Sequence, residues 1–394
     1  MQFIILTAGK STRTYPLTLN KTKPLLKVAN KTILEHNIEQ IKPFAKEIIL
    51  IVGRKKELII NLIKKKYPKL NIKFVHQKQP LGTAHALMQV EKKIKDKFIL
   101  FGGDDFFFKE DIKKLLKNKY ALLVKQVDNA KNFGVIKTKG KFVKNIIEKP
   151  KNIKQGLVNC GCYLLDKNIF SYLKKLKKSK RGEYELTEAI NELAKKESIV
   201  YIKTKAWIPI TYSWDLINAN EILLKNIKQE IKGKIERYVT VKGNIKLGKN
   251  SIIKSGVYIE GSVIIGENCI IGPNCYLRGS TSIGNNSKIG QAVEIKNSII
   301  GDNTKIPHLS YIGDSVIGDN CNLGAGTITA NLRHDHGVIK SKVKGELIST
   351  GRKKFGTIIG DNVHTGIKTT IYPGRKIFPG KTTLPGEIVK KDVV

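Results

Sequence analysis

Between Leu247 and Ile295 an aliphatic residue occupies every sixth position: Leu247, Ile253, Ile259, Ile265, Ile271, Leu277, Ile283, Ile289 and Ile295. Neither the 3.6-residue period of a helix nor the two-residue period of an isolated strand generates such a series. A triangular coil of three hexads per turn does, because each aliphatic then points inward and stacks on its counterpart one turn away. After two five-residue steps the register continues through Ile306, Ile312 and Leu323, and past an interruption at about 333–354 it resumes at Ile359, Ile371 and Ile377. The repeat predicts a left-handed parallel β-helix of hexapeptide repeats over 239–394, with a protruding loop at the interruption. A β-sandwich would instead show period-two strands separated by turns at irregular spacing.

The first part of the chain follows a different grammar. Short β-branched runs (FIILTA, EIILIVG, IKFVHQ) alternate with longer helical ones (ILEHNIEQIKPFA, ELIINLIKKKY). This βαβ alternation predicts an α/β domain over 1–227, Rossmann-like, with a mainly parallel sheet and its chemistry in loops at the carboxyl ends of strands. A linker is expected at 228–238. A length of 394 residues suits two domains.

Composition narrows the functional classes. The cysteines Cys160, Cys162, Cys269, Cys275 and Cys321 show no CxxC pairing and no His partners at zinc-ligand spacing, and read as small buried apolar residues. Lys and Arg number 72 against 33 Asp and Glu, a formal charge of +39. The lysines are dispersed over helix faces and loops without interleaved aromatics, so a solvated surface is expected rather than a nucleic-acid interface. Such a field favours phosphorylated substrates. No apolar stretch could span a bilayer and the start of the chain has no secretory pattern, so a cytoplasmic protein without membrane partners is expected.

Within the repeat region KIPHLSYIGD and CNLGAGTITANLRHD concentrate His, Tyr, Asn and paired Gly. Acyl transfer to an amine needs a base that removes a proton as the amine attacks a thioester, and an imidazole suits that task. His308 is the candidate. The stretch from Arg278 to Asn331 closely resembles the acetyltransferase domain of the bifunctional GlmU family, which acetylates glucosamine 1-phosphate and then uridylylates the product. The resemblance implies His308 as general base, Arg278 and Lys296 as the cationic clamp on the sugar phosphate, and Tyr311 and Asn322 as sugar contacts. It also implies Ala325, Asn331 and Lys391 as acetyl-CoA contacts. Ile367 stands where bacterial members carry a serine, and the segment 333–354 is longer than theirs, a feature similar to archaeal members. Lys340 in that segment is a further candidate for the substrate phosphate.

The segment LTAGKSTRTYPLTLNKTKPLL resembles the signature loop of sugar-1-phosphate nucleotidylyltransferases. It is followed in order by QKQPLGTAHAL, FGGDD, NFGVI, IIEKP and VNCGCYLLD. This resemblance implies Gly9 as the close approach to nucleotide phosphates and Arg13 and Lys23 as the triphosphate clamp. Gln77, Gly82 and Thr83 would contact the base, Gly134, Glu148 and Asn159 the sugar, and Asp104 a Mg²⁺ ion. Two residues depart from the pattern. Ser11 replaces a usual glycine, and Pro209 stands where most members have a metal-binding Asp or Asn. Mg²⁺ would then be held largely by triphosphate oxygens and water.

These features together imply UDP-N-acetylglucosamine synthesis from acetyl-CoA, UTP and a hexosamine 1-phosphate, in a homotrimer with sites between subunits. Three other readings fit parts of the pattern. The amino-terminal domain could be a degenerate regulator, the whole chain a scaffold resembling subunits of the translation-initiation exchange complex, or the β-helix a structural appendage of a nucleotidylyltransferase. An intact HLSYIGD string argues against a scaffold, which needs no base.

Overall fold

A computed structural model describes residues 1–150 and 152–394. The chain forms two compact units. The first comprises Met1–Lys10, Thr22–Leu25 and Ile33–Pro209; the second comprises Ser11–Lys21, Leu26–Thr32 and Ile210–Val394. This division differs from a single break after residue 227. Most of the signature loop, and the segment 210–227, cluster with the repeat region.

In the first unit nine strands form one sheet. The strand Gln2–Leu6 lies third from one edge, between Glu47–Val52 and Phe98–Gly102 and parallel to both, and Ile72–His76 extends this half in parallel. The other half is mixed. Gly156–Leu165 runs antiparallel to both Phe98–Gly102 and Tyr120–Val127. The hairpin Gly134–Lys139 and Phe142–Glu148 is antiparallel as well. The mainly parallel sheet expected from βαβ alternation therefore covers only one half; in the other, Gly156–Leu165 is inserted by long-range antiparallel pairing, and only Ile199–Lys203 beside Tyr120–Val127 is parallel.

Strand residues alternate between two cores. Ile4, Ile49, Ile51 and Leu100 pack with Leu87, Phe170 and Ile190 on one face. Phe3, Ile5, Leu50 and Phe101 pack with Leu34, Ile38 and Ile63 on the other. The helix Ile33–Ile41 buries Ile33, Leu34, Ile38 and Ile41, a spacing that lines one side of a 3.6-residue period. Burial on both faces is why strands such as EIILIV read as unbroken apolar runs.

The second unit is a three-sided coil of parallel strands. Short strands are dealt in rotation to three parallel sheets. Each pairs with the strand one turn on: Leu247 with Ile265 and Ile283, Ile253 with Ile271 and Ile289, Ile259 with Leu277 and Ile295. The inward aliphatics make one continuous core in which Ile253, Ile271, Ile289 and Ile306 are fully buried. Corners require left-handed backbone, and asparagine supplies it at Asn250, Asn268, Asn286, Asn303 and Asn320, with φ between 55° and 58°. Strands Glu230–Ile231 and Lys234–Ile235 already pair with the coil, so it begins inside the segment expected as linker. The interruption at 333–354 contains an antiparallel hairpin, Lys340–Val343 with Glu346–Ser349. Its Ser341 is buried and donates to the Gly374 carbonyl at 2.8 Å, so the hairpin packs on the coil rather than protruding freely.

Because each coil is stabilised only by its neighbours, one inward truncation should be felt cooperatively. Ile289→Ala is expected to lower the unfolding free energy by about 2–5 kcal/mol. A shift of the denaturant midpoint to lower concentration, at unchanged slope, is the measurement that checks it.

Candidate functional sites in the two units

In the first unit candidate residues gather at strand ends. The strand Gln2–Leu6 runs into the turn carrying Gly9, where an added Cβ would meet no protein atom within 4 Å. The turn is backed at Ala8 by Gly53, whose own Cβ would come within 2.8 Å of Ala8. Beside it Gln77 is buried, with its Nε2 3.3 Å from the Gly82 carbonyl and 2.9 Å from His85 Nδ1. Gly82 has φ of +108° and its Cβ would lie 2.5 Å from the Tyr184 carbonyl, so glycine is required there. Thr83 Oγ1 accepts a hydrogen bond from the Leu186 amide at 3.3 Å. These contacts hold the QKQPLGTA segment against Tyr184, a neighbour that its sequence does not disclose.

Gly134, Glu148 and Asn159 come from three strands yet converge. A Cβ on Gly134 would sit 3.1 Å from Glu148 Oε2 and 3.7 Å from Asn159 Cβ. Asn159 Nδ2 donates to the Tyr163 hydroxyl at 2.5 Å, and burial raises the Tyr163 phenol above its ordinary value. Glu148 pairs with Lys149 at 3.3 Å and Arg181 at 3.4 Å. Arg181 was not singled out from the sequence, since it is remote from every quoted motif.

Lys23 is buried, and its ammonium lies 2.8 Å from Asp104 Oδ2 and 3.9 Å from Asp105 Oδ1. The Asp104 side chain is 44 % exposed, so it can face a ligand. An antiparallel bridge between Phe106 and Ile208 brings Pro209 alongside this loop, where its ring offers no donor. Among the described residues no group of three His, Cys, Asp or Glu side chains could hold a metal. One or two carboxylates fit Mg²⁺ when phosphate oxygens and water complete its octahedron.

Arg13 belongs to the second unit and is exposed. Ser11, preceding it, has φ of 54°, which explains why glycine is usual there: a left-handed backbone costs an L-residue roughly 1–2 kcal/mol. Ser11→Gly should therefore stabilise the protein by about 1 kcal/mol, read as a raised melting temperature.

In the coil, pairing of residues one turn apart aligns candidates in columns. Glu260, Arg278, Lys296 and Gly313 form one, and Tyr276, Glu294 and Tyr311 another. Arg278 Nε donates to Glu294 at 2.7 Å. A hub not foreseen from the sequence is Asp314, whose buried carboxylate accepts from Asn331 Nδ2 at 2.6 Å and Asn297 Nδ2 at 2.9 Å and pairs with Lys296 at 3.1 Å. Asn331 also donates to the Tyr311 hydroxyl at 3.1 Å. Burial, then Asp314, raises the Tyr311 phenol, which keeps it protonated. Arg278, Lys296, Tyr311 and Asn331 are thus brought together; Asn331, expected at acetyl-CoA, lies beside residues expected at the sugar phosphate.

The remaining candidates lie elsewhere on the coil. His308 ends the strand Lys305–His308 on the preceding sheet, exposed, beside Gln291. Asn322 is exposed between Lys305 and His364 on that same sheet. Ala325 lies at the following corner, its carbonyl accepting from the Lys368 amide, with Ile367 54 % exposed in the adjoining turn. Lys391 is exposed close to Val394. Lys340 lies in the hairpin strand, exposed, whereas Arg352 reaches the cluster: its Nη2 is 2.6 Å from Glu221 and 3.9 Å from Asp314.

Two-domain comparison agrees with this geometry. Residues 2–226 match the Nucleotidyl transferase family, and residues 259–393 match the GMPPB C-terminal domain. A crystal structure of UDP-glucose pyrophosphorylase complexed with UDP-glucose shares the fold of the first part, at 22 % identity and a TM-score of 0.51, covering 55 % of this chain and 96 % of that one. The first part of the chain thus belongs to the nucleotidyl transferase family, and a parallel coil follows it. Over 96 % of its length the chain is 44 % identical to the bifunctional protein GlmU of Methanocaldococcus jannaschii, covering 92 % of that protein. It is 39 % identical over its whole length to a bifunctional sugar-1-phosphate nucleotidylyltransferase/acetyltransferase of Sulfurisphaera tokodaii, covering 98 %. The chain belongs to this family of bifunctional enzymes. Among the described residues no helix is long and apolar enough to cross a membrane.

Lys376 offers a pH test of the coil. It is buried, donates to the Lys342 carbonyl at 2.6 Å and the Tyr15 carbonyl at 3.2 Å, and burial lowers its pKa from 10.5 to about 8. The unfolded chain then holds more protons at this site between about pH 8 and 10.5, so its contribution to stability rises with pH across that window. Lys376→Met should abolish that rise, measured as the difference between wild-type and variant unfolding free energies at pH 7.5 and 10.

Proposed function

We propose that this enzyme makes UDP-N-acetylglucosamine, by N-acetylation of glucosamine 1-phosphate with acetyl-CoA and then uridylyl transfer from UTP to N-acetylglucosamine 1-phosphate. The observation that carries the reading is the convergence of Arg278, Lys296, Tyr311 and Asn331 around Asp314 and Glu294. A forked guanidinium and a point-charge ammonium suit a phosphate monoester, while phenol and amide donors suit sugar hydroxyls. The coil is read as a left-handed β-helix.

His308 would take a proton from the substrate amine as its nitrogen attacks the thioester carbonyl. The C–N bond forms, the C–S bond breaks, and the departing thiolate takes up the proton. Within one chain His308 and Asn322 lie on a different sheet from Arg278 and Lys296. A homotrimer, in which a neighbouring subunit completes each site, accommodates that separation. Ala325, Asn331, Lys391 and the turn at Ile367 would face acetyl-CoA.

In the first unit Gln77, Gly82 and Thr83 would receive the uracil and Gly134, Glu148 and Asn159 the sugar. Lys23 and Arg13 would neutralise the triphosphate while a sugar-phosphate oxygen attacks the α-phosphorus and pyrophosphate leaves. Asp104 would hold Mg²⁺, which offsets charge on the phosphates. Pro209 and Ser11 favour a second reading, in which this unit binds sugar nucleotides without turning them over. The proteins would work in the cytoplasm.

Thiol release from acetyl-CoA with glucosamine 1-phosphate, followed by UTP and a pyrophosphate assay, tests both halves. His308→Ala is expected to lower acetyl transfer by about 10²–10⁴-fold while leaving pyrophosphate release from supplied N-acetylglucosamine 1-phosphate intact. Folded wild-type protein that releases no thiol would remove the acetyltransferase assignment; absent pyrophosphate would favour the sugar-nucleotide-binding reading.

A further inference from the structure

Three corners of the coil carry the same tripeptide: Gly301-Asp302-Asn303, Gly318-Asp319-Asn320 and Gly360-Asp361-Asn362. At each, the aspartate Oδ1 accepts an amide from the preceding turn: Asn285 to Asp302 at 3.0 Å, Asp302 to Asp319 at 2.9 Å, and Asp319 to Asp361 at 2.9 Å. Asn285, one turn earlier, does the same work with an amide oxygen, accepting from Glu267 at 2.8 Å. The coil therefore needs an acceptor at this corner but not a negative charge.

The surplus charge faces the signature loop. Lys21 Nζ lies 2.5 Å from Asp319 Oδ2 and 3.1 Å from Asp361 Oδ1, and Lys27 pairs with Asp302 Oδ2. Neutral contacts hold the same two segments. Asn30 donates to the Ile283 carbonyl at 2.7 Å, and the Ala29 amide donates to Asn220 at 2.9 Å. The Tyr15 carbonyl accepts from Ser213 at 3.3 Å and Lys376 at 3.2 Å. Both lysines flank the residues assigned to the triphosphate, since Arg13 precedes Lys21 and Lys23 lies between Lys21 and Lys27.

We infer that Asp302, Asp319 and Asp361 are positioning residues for nucleotidyl transfer, which fix the signature loop by ion pairs to Lys21 and Lys27 and thereby fix Arg13 for the nucleoside triphosphate. The inference rests on the assignment of nucleotidyl transfer to the signature loop. Half-buried ion pairs at two points cost the loop the freedom that a surface turn otherwise keeps, so the entropy of ordering Arg13 is met before the triphosphate arrives.

Aspartate-to-asparagine substitution keeps the acceptor that the coil uses and removes the charge, which separates the two roles. The experiment takes the full-length protein with Asp319→Asn/Asp361→Asn, and separately Asp302→Asn, and follows amide hydrogen exchange and kinetics. Exchange over residues 12–32 is expected to quicken about tenfold, with the coil unchanged. KM for UTP should rise about tenfold with a smaller change in kcat, while thiol release from acetyl-CoA stays within about twofold of wild type. Lys21→Arg in the otherwise wild-type protein, which retains the pair, should keep wild-type exchange and KM. Unchanged exchange over 12–32, or quickening spread along the coil, overturns the anchoring role. Quickened exchange with unchanged KM for UTP overturns the positioning role. Wild-type protein that yields no pyrophosphate would instead overturn the nucleotidyl-transfer reading, and the exchange data alone would then decide the anchoring.

Discussion

Backbone pairing between successive turns of the coil is the constraint from which the second unit follows. Once Leu247 pairs with Ile265 and Ile265 with Ile283, every other position is placed by its distance from these rungs. Inward positions must be aliphatic, corners must tolerate left-handed backbone, and residues just before a corner must let the next turn approach closely. Gly301 shows the last requirement: a Cβ there would lie 2.5 Å from Asp319 Oδ1 and block the amide-to-carboxylate contact that joins the turns. Departures are absorbed where they cost least. Two shortened steps leave Ile300 above Ile317 on the same sheet, and the hairpin is inserted between Ile317 and Ile359, which still pair.

The same pairing builds chemistry. A column repeats one outward direction, so charges that are far apart in sequence become neighbours, and sign must alternate between columns if the face is to be stable. Arg278 is balanced by Glu294, and Lys296 by Asp314. Such pairs orient the cations but also oppose an incoming anion, because a phosphate must compete with carboxylates already in place. Asp314 is the deeper of the two acids and has amide donors from Asn297 and Asn331 as well as its ion pair to Lys296.

Legibility in the sequence follows the range of the interactions. The coil was legible because its order recurs every hexad, and the α/β grammar of the first unit was legible because strands and helices are local. The antiparallel half of the sheet was not, since Gly156–Leu165 is inserted between Phe98–Gly102 and Tyr120–Val127 by long-range pairing with no local mark. Asp314 was overlooked for a different reason. Its partners Asn297 and Asn331 are each 17 residues away, so the coil period could have disclosed it, but attention to the aliphatic positions hides a buried acid between them. The allegiance of Ser11–Lys21 and Leu26–Thr32 had no such signal, because contacts such as Lys21 with Asp319 span 298 residues. His308 stood out first as an imidazole in a repeat segment rich in Tyr and Asn, whereas Arg278 and Tyr311 stood out only through resemblance to a family; their residue types alone would suit any solvated face.

Charge balance gives these acids more weight than their number suggests. With 72 basic residues against 33 acidic ones, the bases outnumber the acids more than two to one. Among the acids held against lysine are Asp104 on Lys23, Asp314 on Lys296, and Asp319 and Asp361 on Lys21. Each lies at or beside a segment assigned to phosphate binding. An excess of cations raises the local concentration of anionic substrates over the whole surface, without selecting any one place for them. Selection comes from the few acids, which fix particular lysines in position while leaving the long-range field positive. A uniformly basic protein can in this way hold a phosphate at a defined point, and the geometry of its scarce carboxylates sets where that point is.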